Sequence, residues 1–321
     1  MRKIATIRTL SMVIAACAAA SAWAWPDKPV QVIVPYGAGG GVDTFTRPLT
    51  AKMGELLGQP IVVDNRGGAG GTIGVQRAAV SPPDGYILLS GGVHQPMAEG
   101  LYPKRGYDIE KDFVPLALTA RVPNVLVVTS KAPYADVKEL IAHAKANPGK
   151  VNYCSSGNGT AQHIVGATFG KLTGVTMTHI PYRGTAAAMT DLISGQCDLM
   201  FDGLGTSAQQ IQNGRIRLLA VTTTKRSPLF PQTPTLKEAG GPEMDASIWY
   251  AWWAPAATPK DVVAKLRQDL QIALKEASVR EAWRSQGAEV PEMADSALDG
   301  YVKAETRRWK KAVQEMGITV D

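Results

Sequence analysis

The sequence predicts a two-domain α/β protein, and three observations lead there. Short aliphatic runs alternate with amphipathic helical spacing. Glycine-rich or small polar loops close most of those runs. The pattern then restarts near the middle of a chain whose 321 residues suffice for two domains.

The elements follow in order. Residues 30–35 (Val-Gln-Val-Ile-Val-Pro) read as a buried strand running into the glycine loop 36–41. Asp43 or Thr44 caps the next helix, which carries Phe45, Leu49, Met53 and Leu56-Leu57 on one face and stops at Gly58. Residues 61–63 are a second strand, 65–71 a second glycine loop, and 73–79 a helix. A Pro-Pro-Asp-Gly turn at 82–85 precedes the strand 86–89, which ends in Ser90-Gly91-Gly92. The restart comes with a strand at 125–129, a helix at 135–146 and a strand at 151–154. The polar loop 155–160 opens a helix at 162–172. A strand at 176–180 enters the loop 181–185, followed by a helix at 186–194 and strands at 199–202 and 218–222. Residues 248–253 (Ile-Trp-Tyr-Ala-Trp-Trp) are apolar on both faces, as a buried crossing strand requires, and some of these rings are expected at a cleft. Helices at 260–277 and 296–317 complete the first domain. The expected organisation is a leader at 1–24, domain one at 25–124, domain two at 125–248, and a return to domain one at 249–321.

The leader is read from its own chemistry. Arg2, Lys3 and Arg8 precede a short apolar run, and Ala22-Trp23-Ala24 offers a small-x-small cleavage site before Trp25. The run is shorter than the roughly 20 apolar residues that a membrane span needs. A periplasmic location after cleavage near Ala24/Trp25 is expected. Cys17 lies in a stretch that resembles a lipoprotein box and is read as an apolar leader residue. Removing the leader's three basic residues from 34 Lys+Arg, against 28 Asp+Glu, leaves a net charge of +3. With no basic run in the mature part, nucleic-acid binding has little support. Cys154 and Cys197 lie in a chain bound for an oxidising compartment. Spacing alone leaves their bridging open; a bridge would add at most about 4 kcal/mol by chain entropy.

The loops exclude some chemistries. G-x-G-x-x-G fails from Gly37, Gly39 and Gly68, where Val42, Thr44 and Ile73 stand in place of the last glycine. No P-loop occurs. Ser156 is preceded two residues earlier by Cys154, so the G-x-S-x-G elbow is absent. No metal spacing and no cofactor motif is present, and no base is paired with a nucleophile in sequence. His143 and His179 read as structural, whereas His94 and His163 follow cleft loops, as Gly92 closes a strand, and all three are candidates to face a ligand.

Anion capture suits the loops better. Glycine lets backbone N–H groups approach a ligand, and loops that open helices aim those groups and the positive helix end at an anion. Residues 155–160 add three hydroxyls and an amide. In open α/β sheets, ligands bind at this edge.

Several segments occur in order: Pro-Tyr-Gly-Ala-Gly-Gly-Gly-Val-Asp at 35–43, Asp-Asn-Arg-Gly-Gly-Ala-Gly-Gly at 64–71, and Asn-Tyr-Cys-Ser-Ser-Gly-Asn-Gly-Thr at 152–160. Pro-Tyr-Arg-Gly at 181–184, Leu-Met-Phe-Asp at 199–202 and Ala-Pro-Ala-Ala-Thr-Pro at 254–259 complete the set. Together they resemble the Bug family, the TctC-type receptors of tripartite tricarboxylate transporters. The resemblance implies a periplasmic-binding-protein fold of type II-like topology, with a cleft that closes on a ligand between the domains. It implies a non-enzymatic receptor, expected as a monomer, that passes a small carboxylate to membrane transporter subunits. A ligand sensor and an extracytoplasmic hydrolase are the alternatives. Carried over, the first loop contributes Tyr36, Ala38, Gly40 and Asp43, and the second Ser155, Ser156, Gly157, Asn158, Gly159 and Thr160. Tyr182, Arg183, Gly184 and Asp202 would line the far wall. An acid at Asp43 or Asp202 would receive an amino group, and Arg183 a second carboxylate. Di- or tricarboxylates, acidic amino acids and aromatic acids all stay open. Gly67 departs from the proline that the family often has, and Cys154 from its usual small residue.

Overall fold

The computed structural model describes residues 25–316. The leader, with Cys17 and the expected cleavage site, and residues 317–321 lie outside the described residues. In chain order the elements are β1 (Val30–Val34), α1 (Gly41–Leu57), β2 (Ile61–Asn65), α2 (Thr72–Ala79), β3 (Ile87–Gly92), α3 (His94–Leu101), α4 (Ile109–Asp112) and β4 (Phe113–Val122). Then come β5 (Asn124–Thr129), α5 (Val137–Ala146), β6 (Asn152–Ser155), α6 (Ala161–Thr173), β7 (Thr178–Pro181), α7 (Thr185–Ser194), β8 (Leu199–Gly203), α8 (Leu204–Gln212) and β9 (Ile216–Val221). The chain closes with β10 (Ile248–Pro255), α9 (Lys260–Ala273), α10 (Ala277–Arg284) and α11 (Asp295–Met316).

The strands form two five-stranded sheets in the orders β2-β1-β3-β10-β4 and β7-β6-β8-β5-β9. Three strands of each run parallel, and the fourth runs antiparallel to both of its neighbours. That fourth strand arrives from the other half of the chain. β5 follows β4 directly through Pro123, and β10 returns from the second sheet to the first. Two strand crossings therefore join two lobes of matching topology.

The crossing strand β10 is buried along its whole length. Its three tryptophans, Trp249, Trp252 and Trp253, are at most 1% exposed, so none reaches a cleft. Small residues opposite make room: Trp252 pairs with Ser90 and Ala117, and Tyr250 with Gly92 and Ala120. A side chain at Gly92 would collide with the Trp249 carbonyl. Gly92 is thus required by sheet packing rather than by a ligand. Phe45 of α1 stacks on Tyr250 at 4.9 Å and meets Trp283 edge-on, which seats α1 on the sheet. Leu49, Met53 and Leu57 continue that buried face, and Gly58, at φ 67°, ends the helix.

The helix α3 spans one side of the cleft, from His94 to Leu101. The buried Glu99 on it meets Arg105 and Lys310 of α11, and Glu305 of α11 accepts hydrogen bonds from Trp249 and Trp309. These contacts fix α11 against α3 and β10. In the second lobe, Cys154 of β6 and Cys197, just before β8, are joined by a disulfide with their Cα atoms 6.1 Å apart.

Five elements of this frame have no counterpart in the sequence reading. They are α3, α4, β4, α8 and α10. Pro115 and Arg121 interrupt the apolar run of β4, the edge strand of its sheet, whose outer side pairs only in a single bridge from Arg121 to Glu289 among the described residues. The helix α8 is mostly polar, with Gly205 near its start, and buries only Leu204, Ser207 and Ala208.

Candidate ligand-binding cleft

Four loops from the carboxyl ends of β1, β2, β6 and β7 meet between the lobes, and each opens a helix. The first is anchored by charge. Asp43 accepts the Gly39 N–H at 2.9 Å, both arms of Arg47 at 2.8 and 2.9 Å, and the Asn65 amide at 3.1 Å. Burial raises its pKa, but the Arg47, Gly39 and Asn65 donors outweigh that and hold it below the ordinary carboxylate value. Gly40 caps α1 with no side-chain hydrogen bond, so the first-turn N–H groups of this 17-residue helix face the cleft without a side-chain partner.

The second loop, Gly67 to Gly71, wraps over the first. The Tyr36 hydroxyl donates to the Gly70 carbonyl at 2.9 Å. A side chain at Gly71 would stand 2.6 Å from the Tyr36 hydroxyl, and one at Gly70 would stand 2.9 Å from the Asn158 carbonyl. Both glycines have positive φ, so this wall is restricted to glycine twice over.

The third loop is held by neutral groups. The Ser156 N–H donates to Gln162 Oε1 at 2.5 Å, and Gln162 Nε2 donates to Asp202 at 2.6 Å. Thr206 and Ser207 also donate to Asp202, at 2.5 and 2.6 Å. Burial pushes the Asp202 pKa up against the pull of these hydrogen bonds. The Gly159 N–H donates to His163 Nδ1 at 3.1 Å, and the Ser155 hydroxyl bonds His179 Nε2 at 2.7 Å. The two imidazoles stack with centroids 3.9 Å apart and planes within 1°. Burial pushes His163 down to about 4; burial and then the neighbouring His163 push His179 down to about 3. Both are therefore neutral near pH 7, as an accepting Nδ1 on His163 requires. The fourth loop, Pro181 to Gly184, opens α7, again with a glycine cap and no side-chain cap bond. The Tyr182 hydroxyl turns away and donates to Asp191 at 2.6 Å.

Between these loops lies a cavity of about 690 Å³, lined by Tyr36, Gly37, residues 67–71, Tyr102, residues 156–158 and residues 181–184. A recess of about 20 Å³, the size of one water, adjoins it. The recess sits where α1 and α7 start, one from each lobe, and is lined by Gly40, Gly41, Gly184 and Thr185 together with Tyr36, Ser156 and His94. The His94 ring meets Tyr36 edge-on at 5.1 Å, and its buried Nδ1 has no protein partner. Burial pushes this imidazole down to about 4, so it too is neutral near pH 7. The lobes touch across the cavity mouth, where the Tyr102 hydroxyl donates to the Asn158 carbonyl at 3.0 Å. A larger groove, of about 830 Å³, runs along α9 on the outer face, away from all four loops.

Of the residues singled out in the sequence, Tyr36, Gly40, His94, Ser156, Gly157, Asn158, Tyr182, Arg183 and Gly184 line the cavity or its recess. The others do not. Ala38 is exposed at its loop tip. Ser155, Thr160 and His163 lie behind the loop they shape, and Gly159 packs close against Leu101 and Tyr102 of the first lobe. Thr160 bonds the Gly157 carbonyl at 2.8 Å, and Ser155 is fully buried. Asp43 and Asp202 are scaffold residues: both carboxylates are filled by protein donors, which corrects their expected place on the ligand wall. His179, read as structural, bonds the buried Ser155, and neither residue lines the cavity or its recess. The sequence reading did not single out Gly37, Gly41, Val42, residues 67–71, Tyr102, Pro181 and Thr185. The glycine loop itself was a visible signal, whereas Tyr102 carries none. Among the described residues, no cluster of His, Cys, Asp and Glu could hold a metal ion, and no helix is long and apolar enough to cross a membrane.

Known proteins carry the same frame. A model of the tripartite tricarboxylate transporter family receptor matches residues 45–318. The chain belongs to this family. Protein BugT of Bordetella pertussis is 35% identical, with 98% of each chain covered. The structure of the periplasmic binding protein BugD is similar at a TM-score of 0.88 and 38% identity, covering 92% of this chain and 99% of that one. MatC from Rhodopseudomonas palustris, solved with bound malate, gives a TM-score of 0.86 at 33% identity, with 90% and 100% covered. Tripartite tricarboxylate transporter receptors are solute-binding proteins, and this chain is a receptor rather than an enzyme. Its two-lobed α/β fold is that of these periplasmic binding proteins.

Proposed function

We propose that this receptor binds a small carboxylate in the cleft, in the periplasm, and delivers it to a tripartite tricarboxylate-type membrane transporter. One observation carries the reading. The starts of α1 and α7, from opposite lobes, converge on one recess with no acid on its lining. Each helix start places roughly half a positive charge and several N–H donors there. The unpartnered His94 Nδ1 adds one more polar contact. A carboxylate in the cavity that places one oxygen in the recess bridges both lobes, so binding favours the closed arrangement by its differential contacts. MatC, a relative of the same fold, holds malate, which supports a carboxylate here. The leader expected at 1–24 and the disulfide support the periplasmic location.

The test is a thermal-shift screen of the protein from residue 25 onward, after unfolding and refolding to strip bound solute. Carboxylates at about 100 times their Kd should stabilise it by about 2.7 kcal/mol. Stabilisation by sugars alone would refute the carboxylate reading.

A further inference from the structure

We infer that the Cys154–Cys197 disulfide is a positioning device for ligand binding, which holds the second-lobe half of the cleft in the form that presents its donors. This rests on the cleft reading above and goes beyond it.

The first argument concerns what the bridge encloses. It closes a covalent ring over residues 154–197. Both second-lobe loops that line the cavity, at 156–158 and 181–184, lie inside that ring, as do the helices α6 and α7 that they open. The second argument concerns place. Cys154 stands directly before Ser155 and Ser156, and both cysteines are fully buried. The Cys154 sulfur lies 3.7 Å from the Ala188 carbonyl of α7 and 3.7 Å from the Leu199 carbonyl of β8. The bridge thus fills the seam between the sheet and α7, whose first residue, Thr185, borders the recess. That helix buries only Thr185, Ala188, Met189 and Leu192, so apolar packing holds it weakly and a covalent tie adds what small side chains lack. The third argument concerns the hydrogen bonds around the bridge. The Cys197 N–H donates to the Asp191 carbonyl at 3.1 Å, the Asp191 carboxylate accepts the Tyr182 hydroxyl at 2.6 Å, and the Tyr182 N–H donates to the Ser155 carbonyl at 2.9 Å. With the disulfide, these bonds make a closed circuit through both loops. Beside it, Asn152 and Asp198 exchange two hydrogen bonds at 2.8 and 2.9 Å, which fix the start of β6 to the residue after Cys197. A crosslink that acts only on the unfolded chain needs no such placement. One that holds donors ready for a ligand does.

The experiment compares the refolded protein with the double variant Cys154→Ala, Cys197→Ala by amide hydrogen exchange and calorimetry, both in the cold and well below the unfolding transition. The calorimetric probes are malate, hexanedioate, benzoate and glucose. In the double variant, exchange at 156–158 and 184–187 is expected to speed up about tenfold while first-lobe amides at 39–43 keep their rates. The affinity of each carboxylate that binds the parent protein is expected to fall about fivefold. Tyr182→Phe keeps the bridge and the ring but opens the circuit, and should give the same pattern at about threefold. If the double variant melts earlier while loop exchange and affinity match the parent, the bridge is a crosslink of the fold only; this inference is then wrong and the carboxylate receptor stands. Exchange that rises equally in both lobes overturns it as well. Should the double variant fail to fold, Tyr182→Phe decides, and unchanged loop exchange there overturns the inference. If glucose binds and none of the carboxylates does, the carboxylate reading fails, whereas loop exchange still decides the role of the bridge.

Discussion

The first-lobe loop at 35–40 and the second-lobe loop at 155–160 do the same job with different chemistry. Each ends a parallel strand, opens a helix and presents glycine backbone to the cleft. The first is tied down by a formal charge, Asp43, paired with an arginine that is half exposed. The second hangs on the Gln162 amide, which ties Ser156 to the buried Asp202, and on two stacked neutral imidazoles that hold Ser155 and Gly159. The lesson is that a donor-rich pole needs a rigid backing, and that the backing need not be the same on both sides. A charge pair near solvent is worth little but tolerates pH. A buried polar chain is worth more and fails when any member is removed or protonated.

Three measurements probe that contrast. The largest effect should come from Asp202→Ala, which takes the acceptor from three donors, two of them the buried Gln162 and Ser207, and is expected to cost about 3 kcal/mol. Asp43→Ala, whose Arg47 partner can turn to water, should cost about 1 kcal/mol. Chemical denaturation of both variants gives the order; equal costs would erase the distinction between the loops. The second effect is acid sensitivity. Above pH 6.5, His163 and His179 are neutral folded or unfolded and add no pH dependence. Below it, the unfolded chain takes up protons that the stacked pair refuses. Stability then falls as pH drops from 6.5 towards about 4 for His163 and about 3 for His179. Asp43 behaves differently: its contribution is present above the ordinary carboxylate value and is lost only as pH falls through its depressed folded value. His163→Gln keeps an acceptor for the Gly159 N–H and should flatten the Tm profile between pH 6.5 and 4. An unchanged slope would place the acid sensitivity elsewhere. The smallest effect belongs to the contact between the lobes. Tyr102→Phe removes the bond to the Asn158 carbonyl and should weaken ligand binding about fivefold, near 1 kcal/mol, without lowering the Tm of the free protein. A lowered Tm would show that the bond supports the fold rather than closure.

Much of this was legible in the chain. The alternation of aliphatic strands with helices, the restart near residue 125 and the small-residue loops gave the two-lobed frame and the edge where a ligand sits. What failed locally failed for physical reasons. β4 is an edge strand carrying Pro115 and Arg121, so its apolar period is broken at the margin of the sheet. Tyr102 meets the second lobe 56 residues away, and no local spacing signals that. The acids were seen but placed on the wrong surface, because a carboxylate beside a glycine loop reads the same whether its lone pairs are filled by protein or await a ligand.

The sequence by itself determined periodicity, loop chemistry and family, because these depend on neighbours a few residues apart. Tertiary structure decided which strands cross between the lobes and which side chains remain available in the cleft. Asp43 finds its amide donor 22 residues on, and Asp202 finds one 40 residues back. Only packing brings such partners within hydrogen-bond reach, and only then is it fixed that both acids are filled by the protein itself.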